Sequence, residues 1–238
     1  MTWELKPARD LGLKTQDRLR SHGREAGLGS VVLHAAWRGL VRTHLRLLHR
    51  LEVTGRENLP APPFVLVANH SSHLDALSLG AALRGAAARR AHALAAGDTF
   101  FTSGATSLFA AYALNALPVW RKKTRAKELE TLRSRLVEDE LVYILFPEGT
   151  RSRDGRMAAF QPGLGAFVAG SPVPVVPCHI DGAFAAWPAH RRFPRPGKLS
   201  LRIGTPLHFA ATTQDRAGWT EVAAQCEAAV RALGGEMP

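Results

Sequence analysis

The residues with chemistry to offer stand at two points, each directly after an apolar run. The first is Asn69-His70-Ser71-Ser72-His73-Leu74-Asp75, which follows Phe64-Val65-Leu66-Val67-Ala68. Imidazole, with an ordinary pKa near 6.5, takes and returns protons at physiological pH. Asp75 stands five residues beyond His70, where an apolar-periodic helix is expected to begin near Leu74. A carboxylate on the first turn of a helix can reach back to the ring, hold one tautomer and stabilise the imidazolium. That is the orienting half of a triad without its nucleophile.

The second point is Phe146-Pro147-Glu148-Gly149-Thr150-Arg151-Ser152, after Leu141-Val142-Tyr143-Ile144-Leu145. Gly149 lets backbone N–H groups face a ligand, and Arg151 offers a planar fork matched to phosphate. Glu148 can bond a polyol hydroxyl or hold Arg151 in place. A turn with a surface ion pair is the simpler alternative, but it leaves unexplained why Glu, Gly and Arg crowd the end of a buried strand. Arg121, after Leu117-Pro118-Val119-Trp120, is a further candidate phosphate ligand; for this residue alone a solvated basic face fits equally well.

No nucleophile completes the first group. There is no Gly-x-Ser-x-Gly elbow, Ser71 and Ser72 are too close in sequence to His70, and Cys178 and Cys226 sit in apolar segments. The economical solution is a hydroxyl that arrives with the substrate, is deprotonated by a histidine and attacks an activated ester. A metal on His70, His73 and Asp75 lacks the remaining ligands, so none is expected. Gly163-x-Gly165 is no nucleotide loop, and neither a Walker sequence nor a dinucleotide fingerprint occurs, so no cofactor is expected.

The elements that must position these groups follow from patterning. Leu28–Leu51 reads as an amphipathic helix, with Trp37, Leu40, Val41, Leu45, Leu48 and Leu51 on one side and Arg38, Arg42, Arg46, His49 and Arg50 on the other. Such a helix either lies in a membrane interface or packs on its own domain, and amphipathicity leaves both open. Short strands are expected near Leu51–Gly55, Phe64–Ala68, Arg89–Ala95, Leu117–Trp120, Leu141–Leu145, Val173–Ile180 and Lys198–Ile203. Pro174 and Pro177 suit a bent or edge position in the sixth of these. Helices are expected from Leu74 to Leu83, from Asp98 to about Asn115, from Thr124 to Val137 (Leu129, Leu132 and Leu136 inward; Glu128, Arg133 and Arg135 outward), from Gly163 to Ala169, and around Trp219–Val230. The alternation predicts an α/β fold, a largely parallel central sheet flanked by helices, with an N-terminal amphipathic helical extension. Residues 1–50 form the arm and docking helix, and 51–238 the α/β domain.

The 238 residues carry a formal net charge of +11, which favours phosphate-rich partners: anionic lipid, a phosphorylated ligand or nucleic acid. Aromatic and basic residues are not interleaved as base stacking needs, so nucleic acid is not expected. No apolar run reaches 18 residues and the N-terminus is not patterned as a signal peptide, so neither a spanning helix nor a leader is expected.

Taken in order, Asn69–Asp75, Leu117–Arg121, Phe146–Ser152 and Val173-Pro174-Val175-Val176-Pro177 resemble the four blocks of the glycerolipid (1-acylglycerol-3-phosphate) acyltransferase family over roughly residues 50–210. The first and third blocks are specific, the second and fourth loose. The resemblance implies single-step transfer of a fatty acyl group from acyl-CoA or acyl-carrier protein to a lysophospholipid hydroxyl, giving phosphatidate from 1-acylglycerol 3-phosphate. It implies His70 as general base and Asp75 as its partner. Glu148, Gly149, Thr150 and Arg151, with Arg121, would bind the acceptor's phosphate and glycerol, and Pro177 with its neighbours would shape the donor side. The partners implied are an anionic membrane surface, at its cytoplasmic face, together with the two substrates. A glycine common just before the second-block arginine is replaced by Asn115, which tolerates left-handed backbone, so the turn is expected to survive. The long N-terminal apolar helices of many relatives are absent here, which leaves docking to Leu28–Leu51. The competing readings are another acceptor (glycerol 3-phosphate or a lyso-aminolipid), or a non-catalytic protein that grips anionic lipid or nucleic acid.

Overall fold

A computed structural model describes residues 8–14, 17, 18, 21, 24, 28–96, 107, 108, 110, 111, 115–119 and 126–235. The elements in chain order are α1 (Leu28–Leu48), β1 (Glu52–Thr54), β2 (Phe64–Ala68), α2 (Asp75–Ala82), α3 (Gly85–Arg89) and β3 (Ala91–Ala96). They continue as β4 (Leu117–Val119), α4 (Ala126–Glu138), β5 (Val142–Leu145), α5 (Gly165–Val168), β6 (Val175–Asp181), α6 (Ala183–Ala186), β7 (Ser200–Ile203) and α7 (Arg216–Gly234). The helix expected from Asp98 to Asn115 falls largely outside the described residues.

The seven strands form one sheet in the order β1-β7-β6-β2-β5-β3-β4. Neighbours are parallel except β6 and β7, so β2 to β6 run one way and β1 and β7 the other. This is the largely parallel α/β sheet that the alternation of elements predicts. β2 lies between β6 and β5, and all five of its residues are buried. Its side chains alternate between two cores. Phe64, Leu66 and Ala68 join α1, α2 and α6 on one face, while Val65 and Val67 join α4, α5 and α7 on the other. Burying a valine, leucine or phenylalanine fully contributes about 1.5–3 kcal/mol, so a continuous apolar run is what a centrally placed parallel strand requires.

The helices close the two faces by specific contacts. Gly165 is required where α5 meets α7, because a Cβ there would stand 2.2 Å from the Trp219 Cα. Arg42 donates to the carbonyls of Ala81 and Leu83 and Arg56 to that of Ala82, placing cations at the C-terminus of α2, where the helix dipole favours them. Asn115 has φ of 46°, so the left-handed turn survives as expected, and its amide donates to the Ala91 carbonyl at 2.8 Å.

Three expectations from patterning are corrected. Pro177 stands inside a central strand, opposite Val67 of β2. Its carbonyl accepts from the Gly204 amide at 2.8 Å, so the missing N–H faces the point where β7 ends and the β2 ladder is unbroken. Arg135 of α4 is buried rather than outward, because Asp139 one turn on accepts from its Nε at 3.0 Å and is itself paired with Arg9. Arg133 reaches the carbonyls of Ala166 and Ala169 at the end of α5. His49, placed by the helical wheel with the arginines, is fully buried. The helix stops at Leu48 and the chain turns at Arg50 (φ 44°), so the helical phase no longer decides where His49 points.

The wheel of α1 also divides differently. Val41 and Leu45 are buried, and Trp37 packs against the same core. Val32, Leu33, Leu40 and Leu47 are exposed, a second apolar stripe turned away from the domain. No helix among the described residues is long and apolar enough to cross a membrane.

Candidate active site

Because β2 and β5 are parallel neighbours, their C-terminal ends share one edge of the sheet. The register pairs Val67 with Leu145, and carrying it three residues further sets Glu148 beside His70. The two polar segments that the sequence places after separate apolar runs thus meet.

Asn69 fastens the end of β2. Its Nδ2 donates to the Ile180 carbonyl at 2.9 Å and its Oδ1 accepts from the Ile180 amide at 2.8 Å, extending the contact with β6 by one side chain. His70 follows with its backbone held on both sides. Its N–H donates to Glu148 Oε1 at 2.6 Å, and its carbonyl accepts from the Ser152 amide at 2.8 Å.

Asp75 opens α2 and turns back on the loop as the spacing predicts. Its Oδ2 accepts from His70 Nδ1 at 2.8 Å, from the Ser71 amide at 2.7 Å and from the Ser72 amide at 2.8 Å. The carboxylate is buried, whereas the His70 side chain keeps 21% of its surface exposed. With Nδ1–H committed to Asp75, Nε2 carries the lone pair. The ring lies stacked on Phe146 at 4.1 Å between centroids and 18° between planes. Phe146 was not singled out by its chemistry. Period-two alternation places it on the same face as Val142 and Ile144, and strand adjacency brings it under His70.

Glu148, expected either to bond a polyol hydroxyl or to hold Arg151, makes two backbone contacts here. Its Oε2 accepts from the Ala158 amide at 2.9 Å while Oε1 takes His70 N–H, so both oxygens tie backbone loops together. Burial pushes its carboxyl above the usual range, and the two amides partly offset this. Gly149 has φ of 77°, a left-handed turn that lets the chain reverse after Glu148, and Thr150 beside it is exposed.

Arg151 reaches His73 instead, its Nη1 lying 2.6 Å from Nδ1 and 3.1 Å from Nε2. The His73 ring rests against Trp187 at 4.9 Å. Ser72 Oγ and the His73 amide both donate to the Trp187 carbonyl, so the loop after α6 backs the first motif. In the sequence His73 stands out only as a possible metal ligand and Trp187 as a core residue, because nothing local ties residue 187 to residue 73.

The edge thus gathers His70, Asp75, Glu148, Gly149, Thr150 and Arg151. Pro177 lies apart, buried within the sheet, and Arg121 lies outside the described residues. Both cysteines are buried, which raises their thiol pKa values, that of Cys226 to about 12. Among the described residues no three His, Cys, Asp or Glu side chains gather as a metal site would need.

An α/β sheet edge with a carboxylate-held histidine and a glycine–arginine turn defines the class, and comparison with known proteins agrees. A family model described as Acyltransferase matches residues 50–181, more than half of the chain, and the chain belongs to that family. A mouse protein named 1-acyl-sn-glycerol-3-phosphate acyltransferase alpha is 28% identical over 183 residues, covering 74% of this chain and 62% of its own. A Chlamydomonas reinhardtii protein named 1-acyl-sn-glycerol-3-phosphate acyltransferase is 30% identical over 197 residues, covering 80% and 54%. The chain therefore spans between about half and two thirds of these relatives' lengths. The crystal structure of the Thermotoga maritima 1-acyl-sn-glycerophosphate acyltransferase PlsC has the same fold, with a TM-score of 0.64 and 23% identity over 85% of this chain and 78% of that one.

Proposed function

We propose that the chain is a peripheral membrane acyltransferase that moves a fatty acyl group from acyl-CoA or acyl-carrier protein to the free hydroxyl of a lysophospholipid, converting 1-acylglycerol 3-phosphate to phosphatidate. The observation that carries this reading is the His70–Asp75 bond of 2.8 Å, which leaves Nε2 as the ring's lone-pair nitrogen. Both thiols are buried and the sequence has no Gly-x-Ser-x-Gly elbow, which supports a nucleophile supplied by the substrate.

The acceptor hydroxyl gives its proton to His70 Nε2 as its oxygen bonds to the thioester carbonyl carbon. Asp75 stabilises the imidazolium. The C–S bond then breaks, the leaving thiolate recovers the proton from Nε2, and the enzyme returns to its starting state with no covalent intermediate. Arg151 and the turn at Gly149 and Thr150 hold the acceptor phosphate. Glu148 serves by holding the His70 backbone in line with that turn. The donor is a substrate, and no cofactor is required.

The relatives' names and the net charge of +11 support a phosphorylated lipid acceptor and an anionic surface. The test is thiol release from acyl-CoA and from acyl-carrier protein by the purified chain. Release is expected with lysophosphatidate and absent without it, with phosphatidate identified by mass spectrometry. Transfer only to glycerol 3-phosphate or a lyso-aminolipid, or none to any acceptor, overturns the assignment.

Docking falls to the outward stripe of α1, since Trp37 and Leu45 are engaged with the domain. Leu40→Glu with Leu47→Glu is expected to lower binding to anionic vesicles at least tenfold, each leucine contributing about 1.5–3 kcal/mol when buried. Unaltered co-sedimentation would restrict α1 to packing.

A further inference from the structure

We propose that the loop from Pro188 to Arg195 is a second membrane contact, in which the Phe193 ring enters an anionic bilayer while Arg191, Arg192 and Arg195 meet its phosphates. This deepens the reading of the chain as a peripheral membrane enzyme and rests on that reading.

The residue types supply both the apolar tip and the charge. The stretch Trp187-Pro188-Ala189-His190-Arg191-Arg192-Phe193-Pro194-Arg195-Pro196-Gly197 holds three arginines and no carboxylate. Phe193 is 67% exposed, the one aromatic among the exposed large apolar side chains of the described residues, and it joins neither core. A lone exposed apolar side chain is ordinary on a protein surface. This one stands among cations. The Arg192 guanidinium lies 5.3 Å from the ring centroid, and among the described residues no ion pair neutralises any of the three arginines. A bilayer interface suits that pairing, because the ring can sink to the acyl boundary while guanidinium groups stay at head-group level.

The loop is ordered before it meets a lipid. The Arg195 amide donates to the Ala186 carbonyl at 2.9 Å and closes the loop at its base. Trp187 Nε1 donates to the Arg191 carbonyl at 3.0 Å across its interior. Pro188, Pro194 and Pro196 each fix a φ angle, and Pro194 disfavours helical backbone at Phe193. A tip held in this way gives up little conformational entropy on binding.

Its place in the fold gives the contact a purpose. β6 runs parallel to β2, so the loop that follows β6 and α6 emerges at the sheet edge where His70 stands. Pro188 bridges to Ser72, and the Trp187 carbonyl takes Ser72 Oγ and the His73 amide. Beyond the tip, the Gly197 amide donates to the Leu48 carbonyl at 3.3 Å and the Leu199 amide to the His49 carbonyl at 2.9 Å. The loop thus links the first motif to the end of α1 that carries Leu47. A helix docked alone leaves the domain free to roll about the helix axis. A second contact on this loop removes that freedom and brings head-group level, where a lysophospholipid keeps its hydroxyl, to the catalytic edge.

Co-sedimentation of the full chain with vesicles of phosphatidylcholine alone, or of phosphatidylcholine with phosphatidylglycerol, tests the proposal without turnover. Phe193→Ser is expected to weaken binding to the mixed vesicles roughly tenfold or more, as loss of one buried phenylalanine implies. Phe193→Trp should bind within about threefold of wild type, and brominated acyl chains should quench its fluorescence beyond that of wild type. Arg192→Glu with Arg195→Glu should weaken binding to mixed vesicles by about tenfold or more and leave binding to phosphatidylcholine alone unchanged. Melting temperatures should match wild type, since neither core contains Phe193. In turnover, Phe193→Ser should acylate monomeric short-chain lysophosphatidate at the wild-type rate and long-chain lysophosphatidate in vesicles roughly tenfold more slowly. If no variant acylates lysophosphatidate but the binding pattern holds, the functional assignment fails and the loop contact stands. Binding unchanged in Phe193→Ser overturns the proposal, leaving the loop to a protein partner and the α1 stripe untouched. Wild-type chain that ignores anionic vesicles overturns it as well.

Discussion

His70→Ala is expected to lower kcat for acyl transfer roughly a thousandfold, with KM for lysophosphatidate changed little. A positioned general base contributes about 10²–10⁴-fold, and in the proposed mechanism the same ring both takes the hydroxyl proton and returns it to the thiolate. The upper part of that range is expected because the ring is prepared on two sides. Asp75 holds Nδ1 at 2.8 Å, and Phe146 stacks beneath the ring at 4.1 Å. The fold should survive. The His70 backbone is tied by its own amide to Glu148 and by its carbonyl to Ser152, and neither bond uses the imidazole. Circular dichroism and the melting temperature should therefore match wild type while turnover collapses. Activity within threefold of wild type would remove His70 from the chemistry.

Asp75→Asn is expected to have the second largest effect, and of a different kind: kcat lower by about 10²–10³-fold together with a loss of about 1–3 kcal/mol in stability. The carboxylate is buried and one oxygen receives three donors, while Oδ1 has no hydrogen-bond partner. An asparagine oxygen placed at Oδ2 would leave its NH₂ in that unpartnered position, a buried donor with nothing to accept it. The opposite flip would set the NH₂ against the amides of Ser71 and Ser72. Either way the negative charge that stabilises the imidazolium is gone. The paired measurement is kcat alongside urea unfolding. His70→Ala should move only the first and Asp75→Asn both, so a variant that kept both at wild-type values would dissolve the pair as a catalytic unit.

The different reach of these two substitutions reflects how the site is built. His70 is a partly buried ring on a loop whose backbone is secured by others, whereas Asp75 is at once the partner of that ring and the cap of the loop. Glu148 belongs with Asp75 in this respect. Its oxygens bind the backbones at His70 and Ala158 and so tie two loops of the site together. Arg151, by contrast, has a side chain as its neighbour, its guanidinium lying against the His73 ring.

What the amino-acid sequence determined by itself is local. Phe64–Ala68 and Val142–Leu145 are strands because uninterrupted apolar runs of that length suit a parallel sheet buried on both faces, and polar residues directly after them mark where the strands stop. His70 meets Asp75 because five residues through one turn into a helix leave the carboxylate little other place to reach. Asn115 carries its left-handed turn for the same short-range reason. Tertiary structure alone decided which strand lies beside β2, and from that choice follow Phe146 under His70, Glu148 on the His70 amide, and Pro177 inside the sheet rather than at its edge. It also decided that Arg151 meets His73 and that His49 and Arg135 are buried, since a helical wheel records which way a side chain leaves its axis but not what stands opposite. The physical reason is common to all of these. Periodicity reports the free energy of burying a face, which is summed over neighbours in the chain, whereas partners more than a hundred residues apart, such as Asn69 and Ile180, are chosen by strand order and packing that no local pattern encodes.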